Sequence, residues 1–247
     1  DEDRWDELRA TYLGMCARVD HQFGLLLDAL REREMYDDSA IFMFSDHGDF
    51  TGDYGIVEKT QNTFEDCLTR VPLLVKPPAD VPVRPRITDA LVELIDIPAT
   101  VEALTGIEPH HTHFGQSLLP IVSGETDTGR DAVFCEGGRR RGEEQAKELE
   151  SVGSHDPSAL YWPRLSIQAS DDVAHTKAIM CRTADYKYVR RLYEQDELYD
   201  LRTDPAETRN RIDDPTCAEI ADRMRDRLLT HLLDTSDVVP FDADRRH

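Results

Sequence analysis

Ten residues, Ala40-Ile-Phe-Met-Phe-Ser-Asp-His-Gly-Asp49, constrain this chain more than any others. Four large apolar side chains run without interruption into Ser45-Asp46-His47-Gly48. That is the pattern of a fully buried strand which breaks at a glycine and leaves a carboxylate and an imidazole at its tip. In open α/β sheets, ligands gather beyond the carboxyl ends of the strands. A metal site is therefore expected at Asp46 and His47, with Lys59 close enough in sequence to reach the same crevice. The bare pattern also admits an aspartate that caps the next turn and a histidine satisfied in the core. Lys59 alone reads as a surface lysine, but beside a metal it suits a tetrahedral oxyanion.

Around this stretch the chain reads as alternating helices and strands. Leu8, Tyr12, Met15, Val19, Phe23, Leu26 and Leu30 recur at helical spacing, predicting a long helix over 6–34 with charges opposite. Asp20 and His21 lie in it as part of a solvated face. A helix feeding the apolar strand is the α-to-β step of a parallel sheet. A glycine-bearing loop follows at 48–58, then a short helix over 60–68. Val71-Pro-Leu-Leu-Val-Lys-Pro-Pro78 is a second apolar strand stopped by prolines. A helix over 89–104 is interrupted at Pro98 and ends at Gly106. His110, His111 and His113 lack a suitably spaced carboxylate or cysteine and read as a surface or crevice-rim loop.

Further on, 132–136 is a short strand. Residues 137–176 are polar and irregular, helix-like only at 143–150, and read as an insertion or lid. Lys177-Ala-Ile-Met-Cys-Arg182 and Tyr186-Lys-Tyr-Val-Arg-Arg191 alternate about a turn, the signal of a β-hairpin. An amphipathic helix over 216–233 carries Ile220, Met224, Leu228 and Leu232 on one face. The expected organisation is a catalytic α/β portion at 1–136, the lid at 137–176, and a hairpin-and-helix subdomain at 177–247.

Composition narrows the partners. The 247 residues carry a formal net charge of −21, which argues against nucleic acid or an anionic membrane as partner. There are 31 aspartates and 24 arginines but only 5 lysines. Such an acidic, lysine-poor chain is expected of a salt-loving, GC-rich source. Loss of the far-ultraviolet circular dichroism signal in low-salt buffer is the expected result, and full retention there would remove the idea. The cysteines, Cys16, Cys67, Cys135, Cys181 and Cys217, form no CxxC pair, so reduced thiols are expected. No apolar run reaches membrane-spanning length. The chain begins Asp1-Glu-Asp with neither a methionine nor an apolar leader, as an interior position of a longer product would; a cytoplasmic location is favoured. Oligomeric state is not legible.

Asp46 offers a hard oxygen and His47 a borderline nitrogen. Calcium prefers all-oxygen ligation, whereas manganese or zinc accepts imidazole readily. Two adjacent ligands complete no site, so further donors are required.

The blocks Ser45-Asp-His-Gly-Asp49, Gly52-Asp-Tyr-Gly55, Lys59, Phe64-Glu65 and Arg70-Val-Pro-Leu-Leu74 together resemble the C-terminal half of the sulfatase family, within the alkaline phosphatase superfamily. Asp96-Ile-Pro-Ala-Thr100 with Leu104-Thr-Gly-Ile107, and Gly115-Gln-Ser-Leu-Leu-Pro120, continue the match in family order. So do Asp185-Tyr-Lys-Tyr188, Glu197-Leu-Tyr-Asp-Leu201, Asp204-Pro205, Glu207 and Asn210.

The resemblance implies the C-terminal part of an alkaline-phosphatase-like α/β sandwich, mostly parallel, plus a small antiparallel hairpin and helix. It implies a sulfuric ester hydrolase that releases sulfate from a small-molecule or carbohydrate sulfate ester. The divalent metal it implies is calcium, with manganese an alternative; Asp46 and His47 would be ligands and Lys59 would grip a sulfate oxygen. The nucleophile it implies is a formylglycine made within Cys-x-Pro/Ala-x-Arg. This chain has no such motif: Cys135-Glu-Gly-Gly-Arg139 has the spacing but glycine at the third position, and it lies after the metal pair. The first metal aspartates, the nucleophile and its arginine belong to the half that the chain does not contain, so the chain by itself is expected to be inactive. Arg139, Tyr161, Trp162, His175 and Lys177 are candidates to line the substrate pocket. The rival activities are phosphonate monoester or phosphodiester hydrolysis on the same scaffold, and a non-catalytic binding role.

Overall fold

The computed structural model describes residues 2–147 and 156–239. In chain order the helices and strands are α1 (Glu2–Glu32), β1 (Ile41–Phe44), β2 (Phe50–Thr51), β3 (Val57–Glu58), α2 (Asp66–Thr69), β4 (Leu73–Lys76), α3 (Asp96–Thr105), α4 (Leu119–Ser123), β5 (Val133–Gly137), α5 (Trp162–Ser170), β6 (Ala178–Arg182), β7 (Tyr186–Arg191), β8 (Glu197–Asp200) and α6 (Ala218–Thr235). They fall into two compact units, Asp1–Asp80 with Gly137–Lys177, and Val81–Glu136 with Ala178–His247. The fold class is mixed α/β with a C-terminal antiparallel sheet.

In the first unit, α1 forms where its apolar spacing predicts, yet none of its residues is buried and Leu13 is 66% exposed. β1 likewise forms at the predicted strand but is not fully buried: Phe44 is 48% exposed, and on its partner β4 Leu74 is 58% exposed. The two strands pair antiparallel, Ile41 opposite Lys76 and Phe44 opposite Leu73, and not parallel as the helix-to-strand order predicts. The link between them holds the short β2–β3 ladder and the four-residue α2, not the long crossover helix that a parallel pair needs. An isolated two-stranded ribbon is marginal in water, so these apolar faces call for a further layer.

Two details fix the strand tip. Lys76 Nζ donates to the carbonyls of Tyr36 (2.5 Å), Asp37 (3.2 Å) and Ser39 (3.0 Å), tying the turn before β1 to the end of β4. Gly48 N donates to Leu68 O at 2.8 Å, and a Cβ at Gly48 would sit 1.9 Å from Cys67 O. Only glycine allows the chain after His47 to pass that close to α2.

α5 occupies part of the stretch expected to be irregular. Pro163 sits in its first turn, where a missing N–H costs nothing. Its buried residues are Arg164, Leu165 and Gln168. The helix-like stretch 143–150 is a 3-10 turn at Glu144–Ala146, and 148–150 lie outside the described residues.

In the second unit, α3 starts at Asp96 rather than near 89. The buried Asp96 carboxylate accepts from Glu93 N (2.8 Å) and Gln116 N (2.7 Å) and pairs with Arg130. Leu91 instead makes an antiparallel bridge with Arg130. Pro98 falls in the first helical turn and is tolerated there. The four-stranded sheet runs β5-β6-β7-β8, and β6 and β7 form the expected hairpin, with Ala178 opposite Arg191 and Arg182 opposite Lys187. α6 closes it: Met224 and Leu228 are buried against Cys181, Tyr188 and Leu198, with Ala221 on the inner face and Ile220 at its margin.

Polar motif residues brace this sheet. Asn210 Oδ1 accepts from Leu198 N and Ile212 N, each at 3.0 Å, while its Nδ2 donates to Asp196 O at 3.0 Å. Burial works to raise the Asp196 carboxyl. Hydrogen bonds from Tyr188, Arg190 and Arg191 N outweigh it and hold the group below the usual carboxylate range. All five cysteines are free, and burial pushes the Cys181 thiol up to about 12. Among the described residues no helix is long and apolar enough to cross a membrane.

Candidate functional site

Asp46 and His47 sit on the turn that leaves β1, held by local hydrogen bonds. Ser45 Oγ donates to His47 O at 2.6 Å, and His47 N donates to Asp46 Oδ1 at 3.0 Å. His47 Nδ1 lies 2.8 Å from Gly48 O. A carbonyl only accepts, so Nδ1 is the donor in this contact and Nε2 is the ring nitrogen left to face a ligand. That nitrogen is 3.8 Å from Asp46 Oδ2, and the Asp46 side chain is 84% exposed. A backbone carbonyl that orients the imidazole from behind is the usual support of a metal-binding histidine. The donor set therefore fits a divalent cation, but only as part of a shell. Among the described residues no three His, Cys, Asp or Glu side chains converge to hold one.

Lys59 follows β3. Its ammonium is half-exposed and lies 3.8 Å from Glu58 Oε1. Glu58 has φ 65°, a left-handed conformation that is uncommon for a residue with a Cβ. Arg164 from α5 reaches this turn from the far side: Nη1 donates to Lys59 O at 2.7 Å and Nη2 to Glu58 Oε2 at 2.8 Å. No hydrogen bond or ion pair joins Lys59 to Asp46 or His47 among the described residues.

Arg139, His175 and Lys177 are neighbours through the backbone. Arg139 N donates to His175 O at 3.0 Å, and Lys177 N to Arg139 O at 2.8 Å. Arg139 is only 3% exposed, with Nη2 on Ala174 O at 3.3 Å. His175 is buried at φ 62°, its Nδ1 3.4 Å from Gln168 Nε2. Of the three, Lys177 alone is exposed; Tyr161, the residue before α5, is also accessible.

The other sequence candidates have quieter surroundings. His113 Nε2 pairs with Glu102 at 3.0 Å on α3. Burial, reinforced by Glu136 and Glu93, pushes the Cys135 thiol up, the opposite of a reactive cysteine. Asp20 and His21 are exposed on α1. Sequence reasoning missed Arg164 and its Glu58 contact; the only local signal was Tyr161-Trp162-Pro163, a proline placed to open a helix.

The sulfatase family model matches residues 1–107. Sulfatase relatives align well beyond that segment. The chain is 29% identical to the sulfatase YidJ of Escherichia coli (strain K12), over 87% of this chain and 36% of YidJ. It is 28% identical to the choline-sulfatase of Rhizobium meliloti (strain 1021), over 84% of this chain and 33% of the relative. The crystal structure of the phosphonate monoester hydrolase of Agrobacterium radiobacter superimposes with a TM-score of 0.72 at 27% identity, covering 92% of this chain and 41% of the hydrolase. The family match covers residues 1–107, and the chain as a whole has the alkaline-phosphatase-like fold of these relatives. It spans about two fifths or less of the length of these relatives.

Proposed function

We propose that this chain forms part of the active site of a sulfatase, a hydrolase that releases inorganic sulfate from an organic sulfate ester. The observation that carries the reading is the Asp46–His47 pair, two donors 3.8 Å apart at the tip of β1 with Nε2 free, inside a sulfatase-family segment. Asp46 and His47 would hold a divalent ion, which would supply Lewis-acid polarisation of a sulfate oxygen. Calcium is the ion the family resemblance implies, and manganese suits the imidazole better. Asp46 contributes the negative charge, and His47 contributes a ligand whose orientation Gly48 O fixes. The half-exposed Lys59 ammonium donates to a sulfate oxygen and meets the charge that builds there as the ester bond breaks. The formylglycine nucleophile would come from the rest of the fold.

Lys177 and Tyr161, both accessible, would present polar and aromatic groups that suit a small-molecule or carbohydrate leaving group, and Arg139 and His175 adjoin Lys177 through the backbone. A second reading, phosphonate monoester or phosphodiester hydrolysis, is favoured by the likeness to the Agrobacterium enzyme and by the imidazole ligand. Rates of the intact enzyme on a paired aryl sulfate and aryl phosphodiester separate the two. Higher kcat/KM on the sulfate is expected, and preference for the phosphodiester would move the assignment to the second reading.

A further inference from the structure

The strongest unassigned feature of the first unit is a polar clamp behind Lys59. The geometry points to Arg164 as the positioning residue for Lys59, an inference that rests on the sulfatase reading of that lysine. Arg164 is 7% exposed, on a helix whose neighbouring Leu165 and Gln168 are buried, so its guanidinium is delivered from a fixed base. Nη1 holds the Lys59 carbonyl at 2.7 Å and Nη2 holds Glu58 Oε2 at 2.8 Å. The other Glu58 oxygen, Oε1, is the one that faces the Lys59 ammonium at 3.8 Å. One guanidinium therefore fixes both the backbone that carries Lys59 and the carboxylate beside its charge.

The backbone here needs such a restraint. Glu58 at φ 65° is in a left-handed conformation that is unfavourable for a residue with a Cβ and persists only when its surroundings over-determine it. β2 and β3 pair through two residues each, too little ladder to hold the turn alone. α5 also braces the other candidate segment, because Gln168 approaches His175 Nδ1. A guanidinium making a two-pronged contact is not replaceable by an ammonium, which is a single point of charge.

The test compares Arg164→Ala and Arg164→Lys with the wild type in the intact enzyme, using an aryl sulfate, added guanidinium chloride at low millimolar concentration, and hydrogen exchange of residues 57–60. Expected for Arg164→Ala is a fall in kcat of about 10- to 100-fold with a smaller change in KM. Exchange should rise at 57–60 and not across α1 and β4, and guanidinium should restore part of the rate. Arg164→Lys should recover less than guanidinium does. A uniform rise in exchange over the unit without guanidinium rescue would overturn the inference, leaving Arg164 a general packing residue. Unchanged kcat and unchanged exchange would overturn it as well. If the wild type turns over no sulfate ester, the sulfatase reading fails separately. The local exchange at 57–60 then still decides whether Arg164 positions Lys59.

Discussion

Replacing Lys59 by alanine in the intact enzyme is expected to lower kcat on an aryl sulfate by about 100- to 1,000-fold, the range for losing one preorganised charge-stabilising donor. The fold should survive the change. The Lys59 side chain is half-exposed, and its ion partner is the adjacent Glu58 at 3.8 Å, so little burial is lost. Its contact with the rest of the unit runs through its carbonyl, which Arg164 holds and which alanine keeps. Activity and stability should therefore separate: a large fall in turnover with a thermal midpoint close to wild type. Steady-state kinetics with sulfate release as the readout, beside a thermal melt, checks both. Undiminished turnover would remove Lys59 from the mechanism.

The second large effect is on stability, in the other unit. Lys187 on β7 and Glu207 form an ion pair with side chains only 1% and 2% exposed. Glu207 also holds φ 54° in the loop that carries Asp204 and Asn210. Removing the cation alone, by Lys187→Met, strips the ion-pair partner from a buried carboxylate. Breaking such a pair from one side costs about 3–5 kcal/mol. Replacing both partners with apolar residues of similar volume, in Lys187→Met with Glu207→Leu, should recover much of that loss. Urea unfolding of the four variants in a double-mutant cycle measures the coupling. Additive effects would show that the pair does not act as a unit.

These two predictions draw on parts of the molecule that differed in how legible they were. The strand tip was readable because four apolar residues, a glycine and two ligand-type side chains are adjacent in sequence. The β6–β7 hairpin and α6 were readable because their periodicities, 2 and 3.6, are local. The exposure of α1 and β1 was not: an apolar stripe says that a surface requires cover, and does not say which polypeptide supplies it. The direction of the β1–β4 pair was also not readable, since it depends on the kind of connection between the strands and not on either strand. The start of α3 depends on Asp96 contacts with Gln116 and Arg130, 20 and 34 residues away. α5 escaped notice because two of its three buried residues, Arg164 and Gln168, are polar and break the apolar pattern.

The candidate site shows the same division. Asp46, His47 and Lys59 could be named from their motif, and the structure adds the Gly48 carbonyl that holds His47 Nδ1 and leaves Nε2 facing outward from that contact. The Arg164 clamp could not be named, because it joins residues 105 positions apart. Glu207 and Asn210, which belong to the blocks that resemble the family, have structural surroundings: one is in a buried ion pair, the other pins β8.

The most direct test of the account is a crystal structure of the intact enzyme with anomalous diffraction measured for calcium and for manganese. The account predicts a divalent ion bonded to an Asp46 carboxylate oxygen and His47 Nε2, at about 2.0–2.6 Å, with Lys59 turned toward the same crevice. A metal centre without Asp46 and His47, or an occupied anion site that Lys59 does not face, would contradict it.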